Sequence, residues 1–202
     1  MRKAFVLVPL VLAIATVALP GEASATPITY KATLDGPSEG TASPGVGSAT
    51  VTVDDILNLM FVSADFAGLL ANTTAAHIHC CTAVPGAGSA GVATTTPSFP
   101  GFPLGVTSGN MDQTFDLLLP GSYNPAFVTA QGGLAQARAA LLAGLASDTT
   151  YFNIHTSMFP GGEIRGFLVP VPEPVPEPAS LALLGLGLGL VGALARRRRG
   201  RI

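Results

Sequence analysis

Residues 28–34, Ile-Thr-Tyr-Lys-Ala-Thr-Leu, place Ile28, Tyr30, Ala32 and Leu34 on one face and Thr29, Lys31 and Thr33 on the other. A repeat of two marks a strand half-buried in a sheet, because successive side chains leave opposite faces. Working outward, a turn rich in Gly, Pro and Ser occupies 36–47, Ser48 to Asp54 alternates again, and Leu57 to Phe66 continues after the Asp54-Asp55 turn. Ala75–Cys80, Gln113–Leu119, Thr150–His155 and Glu163–Val169 have the same character. Seven short strands predict an all-β domain, an antiparallel sandwich or barrel.

Two departures interrupt the strands. Asn124-Pro125 reads as an N-cap followed by proline at the first helical position, and Gly132-Gly133 stops that turn of helix. A second helix over Leu134–Leu145 aligns Leu134, Leu141, Leu142 and Leu145 on one stripe, giving a short helical insert predicted to pack across an open end of the domain. Between Asp65 and Asp112, 46 residues pass without one Asp, Glu, Lys or Arg, and 82–110 is mostly Gly, Pro, Ser, Thr and Ala. A loop of that length in a compact domain is either functional or poorly ordered.

The chain has 202 residues, 48% of them hydrophobic, with a net charge of −2 that hides a partition. Seven of the ten cations are Arg2, Lys3, Arg196, Arg197, Arg198, Arg199 and Arg201. Residues 26–170 hold only Lys31, Arg138 and Arg165 against nine carboxylates, a net −6. An acidic domain excludes nucleic acid as a partner, since phosphate contacts need clustered cations.

Both ends read as addresses. Arg2 and Lys3, the apolar run Ala4–Leu19 and Ala23-Ser24-Ala25 form a secretory signal peptide over 1–25, the substrate of a signal peptidase. At the other end a doubled Val-Pro-Glu-Pro over 171–178 precedes an apolar stretch, 179–195, and an arginine cluster over 196–201. Seventeen apolar residues reach roughly 25 Å as a transmembrane helix, just short of a hydrocarbon core of about 30 Å. The arginines would stay cytoplasmic and the domain outside. Pro176, Glu177 and Pro178, the apolar stretch and Arg196–Arg199 resemble the PEP-CTERM sorting tail of Gram-negative bacteria. That resemblance implies an exosortase as partner, cleavage of a membrane-anchored precursor, and a place in the cell envelope, at the cell surface or outside.

Three strings resemble the CHRD domain: ITYKATLDG (28–36), TTAAHIHCC (73–81) and YFNIHTSMFPGGEIRGFL (151–168). The resemblance implies an immunoglobulin-like β fold and a binding or structural role, toward a protein or polysaccharide of the extracellular matrix or biofilm, with no enzymatic activity. Cys80-Cys81 stands where many members carry Gly-Pro. No serine–histidine–aspartate spacing, paired carboxylate site or phosphate-cradling loop is visible, so the chain reads as a non-enzyme.

All three histidines lie within those strings. On a strand His77 and His79 share a face, about 7 Å apart, and with His155 they form a candidate site for a transition metal that takes imidazole. Glu163 or Asp65 could add a carboxylate. The other reading gives the imidazoles only structural work, bonding loop backbones and holding the FPGGEIRG turn against the HIH strand. Three histidines cannot furnish the two-metal site of a copper-zinc superoxide dismutase. Glu163 and Arg165, two apart, read as a fold-supporting ion pair with each other or with neighbours. For Cys80 and Cys81 three readings stay open: a vicinal disulfide, although a trans peptide holds Cα atoms near 3.8 Å where bridges prefer about 4.4–6.8 Å; thiolate ligands beside His77 and His79; or bridges to another chain.

Overall fold

The computed structural model describes residues 27–172, 183–188 and 196. The signal segment 1–25, Pro176, Glu177, Pro178 and Arg197–Arg199 lie outside the described residues, as does most of the predicted span 179–195. Residues 183–188 are helical with exposed leucines. No helix among the described residues is long and apolar enough to cross a membrane.

The strands of the main path are β1 (Ile28–Asp35), β2 (Val46–Asp54), β3 (Leu59–Ala67), β4 (Thr73–His79), β5 (Gly109–Asp116), β6 (Tyr151–Thr156) and β7 (Ile164–Phe167). They form one curled antiparallel sheet in the order β4-β6-β7-β1-β2-β3-β5, rather than the two separately bonded sheets of a sandwich. Sequential hairpins build its middle, with Ile28 facing Val53 and Asp35 facing Val46, then Val46 facing Ala67 and Asp54 facing Leu59. In that register the alternation seen in sequence places Tyr30, Ala32, Leu34, Ala49, Val51, Val53, Met60, Val62 and Ala64 together in the core. The last strand bends at Leu168, whose N–H turns to the Thr150 carbonyl, and β8 (Val169–Pro170) then pairs with β1.

Short helices finish the core. In α1 (Gly36–Glu39), inside the predicted turn, Asp35 caps the Ser38 N–H. In α2 (Pro125–Gln131) the Asn124 side chain caps the Ala126 N–H, and Gly132 at φ 88° ends the helix in the left-handed region that glycine favours. In α3 (Leu134–Ala146) the buried face is Ala137, Leu141, Gly144 and Leu145, while Leu134 and Leu142 only flank it.

The uncharged segment is neither a disordered loop nor an open one. β4 ends the sheet path, so its outer N–H and C=O groups would lack partners. They find them in this segment: Cys80 N–H donates to Gly91 O (3.0 Å), Ala93 N–H to Ile78 O (2.9 Å), Ile78 N–H to Thr94 Oγ1 (2.9 Å) and Phe99 N–H to Ala76 O (3.1 Å). Phe99 then packs on Phe115 of β5 and Phe152 of β6, and Phe102 on Phe66 of β3. The segment therefore fills the gap between the two edges of the curled sheet.

Glu163 is fully buried with no cation beside it among the described residues, which corrects the expected pairing with Arg165. Its Oε1 accepts from Ser43 Oγ (2.6 Å) and Leu70 N–H (2.6 Å), and its Oε2 from Thr156 Oγ1 (2.7 Å). Three donors satisfy a buried carboxylate, and through it the turn after β1, the β3–β4 connection and β6 are tied together. Glu163→Ala leaves those donors unpaired and should lower the unfolding free energy by about 3 kcal/mol. Urea denaturation measures it; a loss under about 1 kcal/mol would show that Glu163 does not tie these segments.

Candidate metal centre

β4 and β6 are neighbours, with Ala75 opposite His155, His77 opposite Asn153 and His79 opposite Tyr151. Even-numbered Ala76, Ile78, Phe152 and Ile154 fill the core, so His77, His79, His155, Asn153 and Tyr151 all leave the opposite face. The small Ala75 side chain lets the His155 ring lean toward His77. The rings of His77 and His155 lie 5.1 Å apart between centroids, those of His79 and His155 5.9 Å. Tyr151 stacks on His79 at 4.7 Å, and the Arg165 guanidinium from β7 lies 4.8 Å from the Tyr151 ring.

Backbone carbonyls hold one nitrogen of each ring. His77 Nε2–H donates to Pro97 O (2.7 Å), His79 Nδ1–H to Ala90 O (2.9 Å) and His155 Nδ1–H to Pro160 O (2.8 Å). A carbonyl oxygen only accepts, so each contact assigns the proton to that nitrogen and leaves the other with a bare lone pair. The bare atoms are His77 Nδ1, His79 Nε2 and His155 Nε2. His77 Nδ1 and His155 Nε2 face each other at 3.2 Å, and His79 Nε2 is buried without a hydrogen-bond partner among the described residues. One nitrogen from each ring lies within 4.8 Å of the other two. Ligand nitrogens about 2.0 Å from a tetrahedral ion stand about 3.3 Å apart. One side of the cluster, 3.2 Å, has that length, and the others reach up to 4.8 Å.

Burial dominates the electrostatics. It holds His77 and His79 down at about 4, against the upward pull of the Pro97 and Ala90 carbonyls; neighbouring imidazoles add a smaller downward push at both, and Arg165 another at His79. Burial also lowers His155. At neutral pH all three rings are uncharged, the form that binds metal.

The bland reading and the metal reading thus describe different nitrogens of the same rings. The turn carbonyl at Pro160 takes His155 of β6, not the HIH strand itself. The Ala90 and Pro97 carbonyls, which orient the other two rings, lie in the uncharged segment and carry no side-chain signal. Both proposed carboxylate ligands are elsewhere: Glu163 is committed to its three donors, and Asp65, on β3, takes the Ser48 hydroxyl. The cysteines are elsewhere as well. Cys80 and Cys81 are joined as a vicinal disulfide across a cis peptide. Their sulfurs sit 3.7 and 3.5 Å from the Ala140 carbonyl of α3, on the core side of β4, and are not ligands beside His77 and His79. Gly144 makes this contact possible, since a Cβ there would come within 2.5 Å of Cys80 Sγ and 2.8 Å of Cys81 Sγ. Arg165 pairs with Glu39 at 3.2 Å.

A mostly β domain with three backbone-anchored imidazoles on the outer face of its sheet defines the class of the molecule. Residues 30–168 match the CHRD domain, and the chain belongs to that family. No curated protein and no solved structure matches it.

The depressed histidines set a pH dependence. Unfolded imidazoles protonate near 6.5 and folded His77 and His79 near 4, so between those values the unfolded state binds more protons. Stability of the metal-free domain is therefore full above about pH 6.5 and falls as pH drops toward 4. Urea midpoints between pH 4 and 7.5 measure this, and the double variant His77→Gln/His79→Gln should flatten the slope.

Proposed function

We propose that this protein is an exported, non-enzymatic binding module that holds one transition-metal ion on His77, His79 and His155. The observation that carries the reading is that one nitrogen of each ring lies within 4.8 Å of the other two, while a backbone carbonyl pins one nitrogen of every ring. Such outer contacts orient ligand rings and raise their basicity at metal sites. Two lone pairs facing at 3.2 Å repel, and a cation between them turns repulsion into attraction. A purely structural cluster has no need to bring nitrogens of all three rings so close together.

Protein purified without a histidine tag and dialysed against a metal mixture should carry one equivalent of metal by elemental analysis. His77→Ala should lose it with the fold intact by circular dichroism, and His155→Ala should weaken binding at least a hundredfold. No metal under replete conditions ends the reading. The envelope protein would then bind its polysaccharide or protein partner by its surface alone.

Export enters through the two ends. The segment 1–25 directs secretion, and 175–202 acts as a PEP-CTERM signal for an exosortase, leaving the domain in the envelope, at the cell surface or in the matrix. The oxidised Cys80–Cys81 pair suits an oxidising compartment outside the cytoplasm. Deleting 175–202 should abolish C-terminal processing and surface retention, read by cell fractionation and by the mass of the mature protein. Unchanged location and processing would remove the sorting role and leave the metal site untouched.

A further inference from the structure

Accepting the three-histidine site as a metal site, we infer that its ion is monovalent copper, held by three neutral nitrogens without an anionic ligand. The donor set narrows the choice first. Three imidazoles exclude the oxygen-seeking magnesium and calcium ions. Divalent copper and nickel prefer four or more ligands in a tetragonal or square arrangement. Here the histidines are the only cluster of potential ligands of this kind among the described residues. Zinc and monovalent copper remain, both filled-shell ions indifferent to an irregular triangle.

Charge decides between them. The cost of moving an ion out of water rises with the square of its charge, so a dication costs about four times what a monocation costs unless an anion accompanies it. No anion among the described residues does: Glu163 is tied to Ser43, Leu70 and Thr156, Asp65 to Ser48, and the sulfurs are bonded to each other on the core side. The charge that reaches the ring stack is a cation: Arg165, paired with Glu39, lies against Tyr151, which stacks on His79. Zinc on three histidines elsewhere recruits hydroxide in an open fourth position. Here His77 and His79 are only 5% and 7% exposed, under the segment that supplies the Pro97 and Ala90 carbonyls.

The test is a pair of anaerobic competition titrations on the purified domain, with ascorbate to keep copper monovalent while leaving the disulfide intact, bicinchoninate as the competing ligand for monovalent copper and a zinc chelator for zinc. Monovalent copper should bind at one equivalent and at least a hundredfold more tightly than zinc. Ala75→Asp places a carboxylate directly across from His155, at a half-buried position, and should narrow that gap at least tenfold by tightening zinc. Arg165→Gln, which removes a cation instead of adding an anion, should shift the ratio the same way by up to about tenfold. Zinc bound as tightly as copper in the native protein overturns the inference while leaving the metal site standing. Neither ion bound overturns the site itself, an outcome the first comparison distinguishes.

Discussion

The outer edge of β4 is the constraint on which the rest of the domain depends. An edge strand presents N–H and C=O groups that must be paired, covered or left to water. Here they are paired by the uncharged segment, whose backbone runs beside Ala76, Ile78 and Cys80. The pairing does not account for the lack of charge, because most residues of 82–110 are exposed to solvent. It does bring the Ala90 and Pro97 carbonyls above His79 and His77. Closing the sheet and orienting the rings are one structural event.

The two faces of β4 then carry different chemistry one residue apart. His79 leaves the outer face and is sealed by Tyr151 and the covering segment, while Cys80 turns inward to α3. Strand alternation enforces the separation, so adjacent sequence positions do not become adjacent ligands. Glu163 and Arg165 part for a different reason: Glu163 lies just before β7, outside its alternation, and faces three donors inside, while Arg165 on the strand reaches Glu39.

Much of this was legible in the chain. The period of two over 28–34 and 48–54 placed the central hairpin within two residues, and Asn124-Pro125 with Gly132 marked both ends of α2. The grouping of His77, His79 and His155 was legible because two share a strand face and the third lies in a matching string. The ligand status of Glu163 and Asp65 was not, because a carboxylate's partners are set by distant backbone and hydroxyl donors such as Leu70 N–H and Ser43 Oγ. Nor was the order of 82–110 readable, since its hydrogen bonds go to another element and leave no periodicity of their own.

By itself the sequence determined the local matters: which segments form strands, which face most of their side chains take, where α2 and α3 start and stop, and that the domain is acidic between two basic ends. These follow from near-neighbour sterics and from burial patterns of short period. Only the tertiary structure decided that the strands make one curled sheet, that the uncharged segment closes it, and that three carbonyls select which nitrogen of each histidine stays bare. Those outcomes depend on groups far apart in the chain, such as Pro97 with His77, meeting at hydrogen-bonding distance. No pattern of side chains records where a backbone oxygen will fall.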